Sequence, residues 1–306
     1  MVKSKEGCEI KMIGIKQWKF FAIFVTPIFL LLIIFRYYPL FSAIYHSFTK
    51  WNVASATAFT GLQNYINLFT DKYFIVSIEN IFIYVVITTV IITVMSLIGA
   101  ELIFNLDSQR FKAFWKYLFI VPMIVPFTVA MLIWEFIYNP YLGILNGFLN
   151  AIGLSNFALP WLGSSQTALY AVSFVGFPFI SSVQFLIILS GLQSLDLSII
   201  DATKIDGATT VQRIFKVDIP MIIDKIILAI MLTVIGNVQA VSNFYILTYG
   251  GPGTSTLVPG LYMYEMAFSN NSLGYACTIG IVMALITFAL IFIIRKIEDL
   301  IEARYA

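Results

Sequence analysis

The chain has 306 residues, of which 60% are hydrophobic and 11% charged, with 18 basic and 16 acidic side chains and a formal net charge of +2. A soluble domain carries about a quarter charged residues, so this shortage, together with a mean hydropathy of +0.91, excludes soluble enzymes, nucleic-acid binders and disordered scaffolds and identifies a membrane protein. Cys8 and Cys277 lie far apart and His46 is the single histidine, which leaves no material for a disulfide framework or a Cys- or His-based metal centre.

In chain order, residues 1–19 form a lysine-bearing N-terminal segment, and the charge-free run from Phe20 to Phe35 opens a first span at 20–45. That run is bulky, continues past Arg36 and has no small-residue cleavage signature, so it reads as an uncleaved helix rather than a signal peptide. The uncharged stretch Trp51 to Thr70 is rich in Asn, Ser and Thr and reads as a polar surface segment with a short helix near Leu62 to Phe69. Further spans are expected at 80–104, 114–138, 167–192, 222–246 and 272–294, each near the about 20 residues needed to cross a bilayer. Asn139, Pro140, Gly143, Gly147, Gly153 and Pro160 mark a loop between the third and fourth. The expected architecture is therefore all-α and polytopic, with six spans over 20–294, one sizeable polar loop at 193–220 and a tail at 295–306.

Basic residues orient the chain. Lys3, Lys5, Lys11, Lys16 and Lys19, then Arg110, Lys112 and Lys116, then Lys204, Arg213, Lys216 and Lys225, then Arg295, Lys296 and Arg304 fall on one side, and only Lys50 and Lys72 on the other. Positive charge stays inside, so both termini are expected in the cytoplasm of a multi-pass cell-membrane protein. Trp18, Trp115, Trp134 and Tyr138 sit near span ends, where amphipathic rings favour the headgroup region.

The loop between spans four and five is the informative segment. Ser198 is placed to cap a helix over Ile199 to Ile205, Asp206 and Gly207 supply a turn, a second amphipathic helix runs from Ala208 to about Val217, and Pro220 leads into span five. Apolar residues at 199, 202, 205, 208, 211, 214, 215 and 217 give this helix-turn-helix a greasy face. Outside the membrane that face calls for a protein acceptor.

Asp201, Ala202, Thr203, Asp206, Gly207 and Ala208, followed by Ile214, Val217, Ile219 and Pro220, resemble the EAA loop of ABC importer permeases. The spacing is kept, while Asp201 replaces Glu, Thr203 replaces the second Ala, and Asp196 stands where many members have Pro. Three further segments resemble the carbohydrate-uptake branch, the first permease of maltose and glycerol-3-phosphate type systems: Phe59 to Tyr65, Asn139 to Asn146, and Asn243 to Pro252 with Ser255 and Thr256. The resemblance implies a type I ABC importer permease fold. It also implies a second homologous permease, two ATP-binding subunits and an extracellular solute-binding protein as partners, with sugar as cargo. In that family the loop docks in a cleft of an ATPase. Here Asp201 is then placed to pair with a basic cleft residue, Ala202 and Gly207 permit close approach, and the apolar face provides grip.

No phosphate-binding loop with a lysine is present, so ATP and Mg are expected on the partner subunits, with no cofactor and no catalytic residue on this one. Gly250, Gly251 and Gly253 read as a tight external turn. For the substrate path, neutral polar groups suit a sugar's hydroxyls: Gly236, Gln239 and Asn243 share a helical face on span five, and Gln184 lies on span four beside Ser181 and Ser182. Holding helices together is the competing role of such residues. Arg36, Glu101 and Glu135 lie near span ends, where snorkelling or capping suffices, and Asp224 with Lys225 reads as a local pair. A secondary transporter of a neutral solute is the main alternative, but it calls for mid-membrane ionisable residues and an internal repeat, and the sequence offers neither. A membrane enzyme lacks any His/Asp/Cys constellation.

Overall fold

The computed structural model describes residues 15–52, 55–178 and 180–305. Cys8 and the basic residues Lys3, Lys5 and Lys11 lie outside the described residues. The chain is built almost wholly from helices: α1 (Ile15–Leu32), α2 (Tyr38–Ser47), α3 (Gln63–Thr70), α4 (Lys72–Phe104), α5 (Gln109–Ile120), α6 (Phe127–Ile137), α7 (Ile144–Ala151), α8 (Ala168–Ser173) and α9 (Ser182–Gln193). They continue with α10 (Leu197–Ile205), α11 (Thr210–Arg213), α12 (Ile219–Met221), α13 (Ile223–Val238), α14 (Ser242–Leu247), α15 (Pro259–Tyr264) and α16 (Leu273–Tyr305).

Ile23–Ser47, Lys72–Phe104 and Leu273–Ile301 are each long and apolar enough to cross a membrane unaided, and three further bent helix pairs raise the number to as many as six. One of these pairs, α5 with α6, bends by 93° where Pro122 and Pro126 interrupt the backbone ladder. The segment expected as span four is broken between α8 and α9, where Gly176 has φ +90°. The segment expected as span five stops at Val238 and resumes at Ser242.

The sequence reading expected no strand. The structure instead forms a short antiparallel hairpin, β1 (Thr49–Asn52) and β2 (Ser55–Phe59), ahead of α3. Its corner is fixed by side chains: Asn64 Nδ2 donates to the carbonyls of Ser47 (2.9 Å) and Thr49 (3.0 Å), and Thr278 Oγ1 donates to Ser47 O at 3.0 Å. His46 stacks on Trp51 at 4.0 Å between ring centroids. Gly274, in the first turn of α16, lets the hairpin approach, since a Cβ there would lie 2.1 Å from Thr49 O.

Helix α4 is the mast, about 50 Å long at 1.5 Å per residue, and α8, α9, α13 and α15 pack along it. Two apolar cores divide its length. One gathers Leu68, Phe74, Ile81, Tyr84, Phe244, Leu261 and Ile279; the other, toward the C-terminal end of α4, gathers Ala100, Ile103, Phe185, Leu189, Leu192, Ile222 and Ala229. Helices α1 and α2 and the π-helical turn between them, Ile33–Tyr37, expose Phe24, Phe35 and Phe41, an outward surface suited to lipid or a partner subunit.

Replacing Gly274 by Ala is expected to cost about 1–3 kcal/mol, the usual price of overpacking, because backbone rather than a side-chain tip must yield. Gly147→Ala in α7 meets nothing within 4 Å and is expected to be neutral or stabilising by up to about 1 kcal/mol. Thermal unfolding of the detergent-solubilised variants checks both.

Candidate functional site

The loop after α9 is built from local capping chemistry. The Asp196 side chain accepts from Ser198 N at 2.9 Å and caps α10, a role expected of Ser198; that backbone hydrogen bond holds the exposed Asp196 carboxyl below its usual range. Helix α10 ends in a paired turn: Gly207 N donates to Lys204 O (3.1 Å) and Ala208 N to Thr203 O (3.0 Å). This double closure requires a left-handed residue after the helix, and Gly207 supplies it with φ +71°. Ala208 lies outside the second helix, contrary to expectation. Thr209 is the cap there, forming a reciprocal box with Gln212. Pro220 sits at the start of α12, and the backbone turns by 72° between 210–221 and α13.

The loop's expected apolar face divides in the structure: Ile199, Ala208, Ile214 and Val217 are half-buried, whereas Ile205, Val211 and Phe215 are 86%, 63% and 67% exposed. The buried anchor is Ile200, which lies off that face. Asp201, Ala202 and Asp206 are exposed beside them, and Thr203 is half-buried. Asp201 pairs with Lys204 at 3.0 Å in the open, a contact worth little by itself. The result is a small knob with three bare apolar side chains around a rigid glycine turn.

The knob is bolted to the mast. Between α11 and α12 the chain makes one π-helical turn, Ile214–Asp218, which brings residues five apart onto one face. Arg213 Nε consequently donates to Asp218 Oδ2 at 2.9 Å, with Asp218 fully buried. Arg213 Nη2 also donates to Asn105 Oδ1, and Asn105 Nδ2 donates to Glu101 O (2.8 Å) and Oε2 (3.1 Å). The guanidinium lies 5.9 Å from the Phe104 ring centroid. Sequence reasoning placed Glu101 at a span end and offered snorkelling or capping; the structure buries it at 5% exposure inside this network. Among the described residues Glu101 Oε1 and Asp218 Oδ1 are both buried without a hydrogen-bond partner, so Asp218 depends on the guanidinium and Glu101 on the Asn105 amide.

Along α4 runs a buried polar stripe, Ser77, Asn80, Tyr84 and Thr88, at spacings that share a helix face. Sequence reasoning passed over it, although three- and four-residue spacing of polar side chains in an apolar helix is a legible signal. Tyr84 accepts from Asn243 Nδ2 (2.8 Å), Thr88 accepts from Asn237 Nδ2 (2.7 Å), and Asn80 Nδ2 donates to Thr254 O and Leu257 O, both at 2.9 Å. Gln184 donates to Thr233 Oγ1 at 3.0 Å and accepts from Ser181. Asn243 and Gln184 are therefore tied into helix–helix hydrogen bonds.

Gln239 and Gly236 are exposed. Because α13 ends at Val238, with Gln239 as its cap, the single helical face expected for Gly236, Gln239 and Asn243 is interrupted. Gln239 borders an open cavity of ≈ 660 Å³ that also carries Arg36 and Thr287.

At the end of the mast opposite the knob, Asp71 accepts from Tyr262 and Tyr275 hydroxyls and from Tyr73 N. Burial pushes the Asp71 carboxyl up, but these hydrogen bonds outweigh it and leave it below its usual range. Burial, reinforced by the bond to Asp71, raises the Tyr262 hydroxyl. Among the described residues no group of His, Cys, Asp and Glu is arranged to hold a metal ion.

Residues 92–306 match the family model described as the binding-protein-dependent transport system inner membrane component. The chain is 33% identical to the probable ABC transporter permease protein YurN of Bacillus subtilis, over 88% of this chain and 92% of the relative. It is 28% identical to the multiple sugar-binding transport system permease protein MsmF of Streptococcus mutans, over 86% and 89%. Its fold superposes with a TM-score of 0.80, at 18% identity, on a bacterial ABC transporter involved in the import of the acidic polysaccharide alginate, over 93% of this chain and 96% of that one.

Arg213→Met leaves Asp218 buried without its partner, and losses of about 3–5 kcal/mol are expected for such a broken pair. Arg213→Met combined with Asp218→Leu is expected to recover part of that loss, since an apolar replacement of both partners removes the stranded charge. Thermal unfolding of the purified single and double variants measures the difference.

Proposed function

The chain belongs to the family of binding-protein-dependent transport system inner membrane components, and from that premise we propose that it carries a sugar or oligosaccharide across the cell membrane through a type I ABC importer. It is a non-catalytic, multi-pass membrane permease subunit. A second permease, two ATP-binding subunits and an extracellular solute-binding protein complete the assembly in this reading; ATP and Mg belong to the ATP-binding subunits, and both termini face the cytoplasm. The sugar assignment draws support from relatives such as the multiple-sugar permease and from the buried amides and hydroxyls along α4.

The observation that carries the mechanism is the bolted knob. Residues 196–220 present Ile205, Val211 and Phe215 bare to solvent, and a cytoplasmic apolar patch of this kind asks for a protein groove. Docked in an ATPase cleft, the knob is held on one side by the partner and on the other by the chain Arg213, Asn105 and Glu101. A displacement driven by ATP then reaches the end of α4 through short, directional hydrogen bonds rather than through a flexible linker. Asp201, Ala202, Thr203, Asp206, Gly207 and Ala208 form the docking turn, and Pro220 with the 72° bend passes its motion into α13. Gln239 and Gly236 are the open polar positions on the proposed path; Gln184 and Asn243 shape it by fixing their neighbours.

Gly207→Val forces a β-branched residue into the left-handed region, costing about 1–2 kcal/mol, and is expected to abolish uptake. Ile205→Glu and Phe215→Glu alter exposed residues, so the permease itself should stay folded. Co-purification of the ATPase is nonetheless expected to weaken on the order of thirtyfold, the loss typical of an interface hot spot. Pull-down from membranes and uptake into proteoliposomes read these outcomes. If the ATPase remains bound and uptake is unchanged in all three variants, the docking assignment is wrong.

A further inference from the structure

The end of the bundle opposite the coupling loop holds a cavity of ≈ 300 Å³ that the transport reading has not used. Its wall brings together Tyr73 from the start of α4, Tyr249 and Gly253 from the glycine-rich turn, Tyr262 from α15, Glu265 from the π-helical turn that follows (Glu265–Ser269), and Asn270 just after it. This volume lies at the small end of ligand pockets, enough for one sugar ring rather than a chain. Neither a salt bridge nor a side-chain hydrogen bond engages the Glu265 carboxylate among the described residues, and burial pushes its carboxyl above the usual range. The Asn270 amide faces nothing better than Met266 Sδ at 3.6 Å.

The frame around these free groups is stiff. Asn80 clamps the turn through the Thr254 and Leu257 carbonyls, Thr248 and Thr256 hydroxyls meet at 2.7 Å, and Asp71 holds Tyr262. Tyr249 itself adopts φ +50°, a left-handed conformation that a bulky residue enters only when its surroundings impose it. Rigid aromatic rings beside an unengaged carboxylate and amide form the chemistry that recognises a saccharide: the rings cover apolar C–H faces, and the carboxylate and amide bridge neighbouring hydroxyls. No basic side chain lines the cavity, so Glu265 also repels a carboxylate on the ligand.

We propose that this cavity is a saccharide subsite on the outer mouth of the permease, in which Glu265 and Asn270 hold hydroxyls of one uncharged sugar unit against Tyr249 and Tyr262, and which disfavours uronic acids. The site receives the sugar as the binding protein releases it, and therefore rests on the reading of the chain as a sugar permease with this end outside.

The test uses the complete transporter in proteoliposomes with its binding protein, offered a panel of tritiated neutral disaccharides and disaccharides containing a uronic acid. Glu265→Gln and Asn270→Leu are compared with wild type for initial uptake and, separately, for docking of the loaded binding protein. The expected result is uptake of the neutral disaccharide lowered on the order of tenfold or more, the loss of a hydrogen bond to a charged group, with docking changed less than twofold. Glu265→Lys is expected to narrow the preference for neutral over uronic substrates. Loss of docking in parallel with uptake overturns the proposal, because the cavity is then a seat for the binding protein. Unchanged uptake in all three folded variants overturns it too. A wild-type transporter that imports no disaccharide at all rejects the sugar reading itself, a failure distinguishable from that of the subsite.

Discussion

A polar group without a partner is costly in hydrocarbon, and this fold meets that constraint by hanging its irregular segments on one helix. Several interruptions of the bundle lie against polar side chains of α4 or of its two caps, Asp71 and Asn105. Asp71 receives the α15 and α16 tyrosines, Asn80 fixes the 249–258 turn, and Tyr84 and Thr88 meet Asn243 and Asn237 on either side of the break at 239–241. Farther along, Ser96 reaches the Ser181 carbonyl at 3.4 Å beside the break before α9, and Asn105 meets Arg213 of the loop that follows α10. Remove the stripe and the broken helices lose both their register and their satisfaction.

The same helix thereby connects the two ends of the molecule. Its C-terminal end is welded to the loop through a buried guanidinium that donates to Asp218 and to Asn105, with Glu101 held behind Asn105, and its N-terminal end is welded to the turn around the opposite cavity. Buried ion pairs add little net stability when compared with apolar packing, so the reason to keep Arg213, Asp218 and Glu101 in this place is geometric. Charged hydrogen bonds are directional and hold the knob at one angle to the mast. In the proposed transport cycle that directionality is what turns a push on Ile205 and Phe215 into movement of α4 and α13, while the break at 239–241 supplies a joint.

Much of this was legible beforehand. The spacing of Asp201, Gly207 and Pro220 located the loop, because helix ends and left-handed turns obey short-range rules. The structure shifted the caps by only a few residues, to Asp196 and Thr209. The hairpin at 49–59 was missed because its strands are polar and are held by Asn64 and Thr278 from distant elements. Glu101 was misjudged for a similar reason: sequence position near a span end says nothing of a neighbour 112 positions later, Arg213, reaching toward it through Asn105.

What the sequence by itself determined is therefore what depends on composition and local spacing: membrane residence, the alternation of apolar helices with polar loops, and the glycine turn at Gly207. Only the tertiary structure decided which polar residues are spent on holding helices, as Asn243 and Gln184 are, and which remain open, as Gln239 and Glu265 do. Hydrogen-bond satisfaction in a membrane bundle is settled between segments far apart in the chain, and one-dimensional periodicity carries no record of those partners.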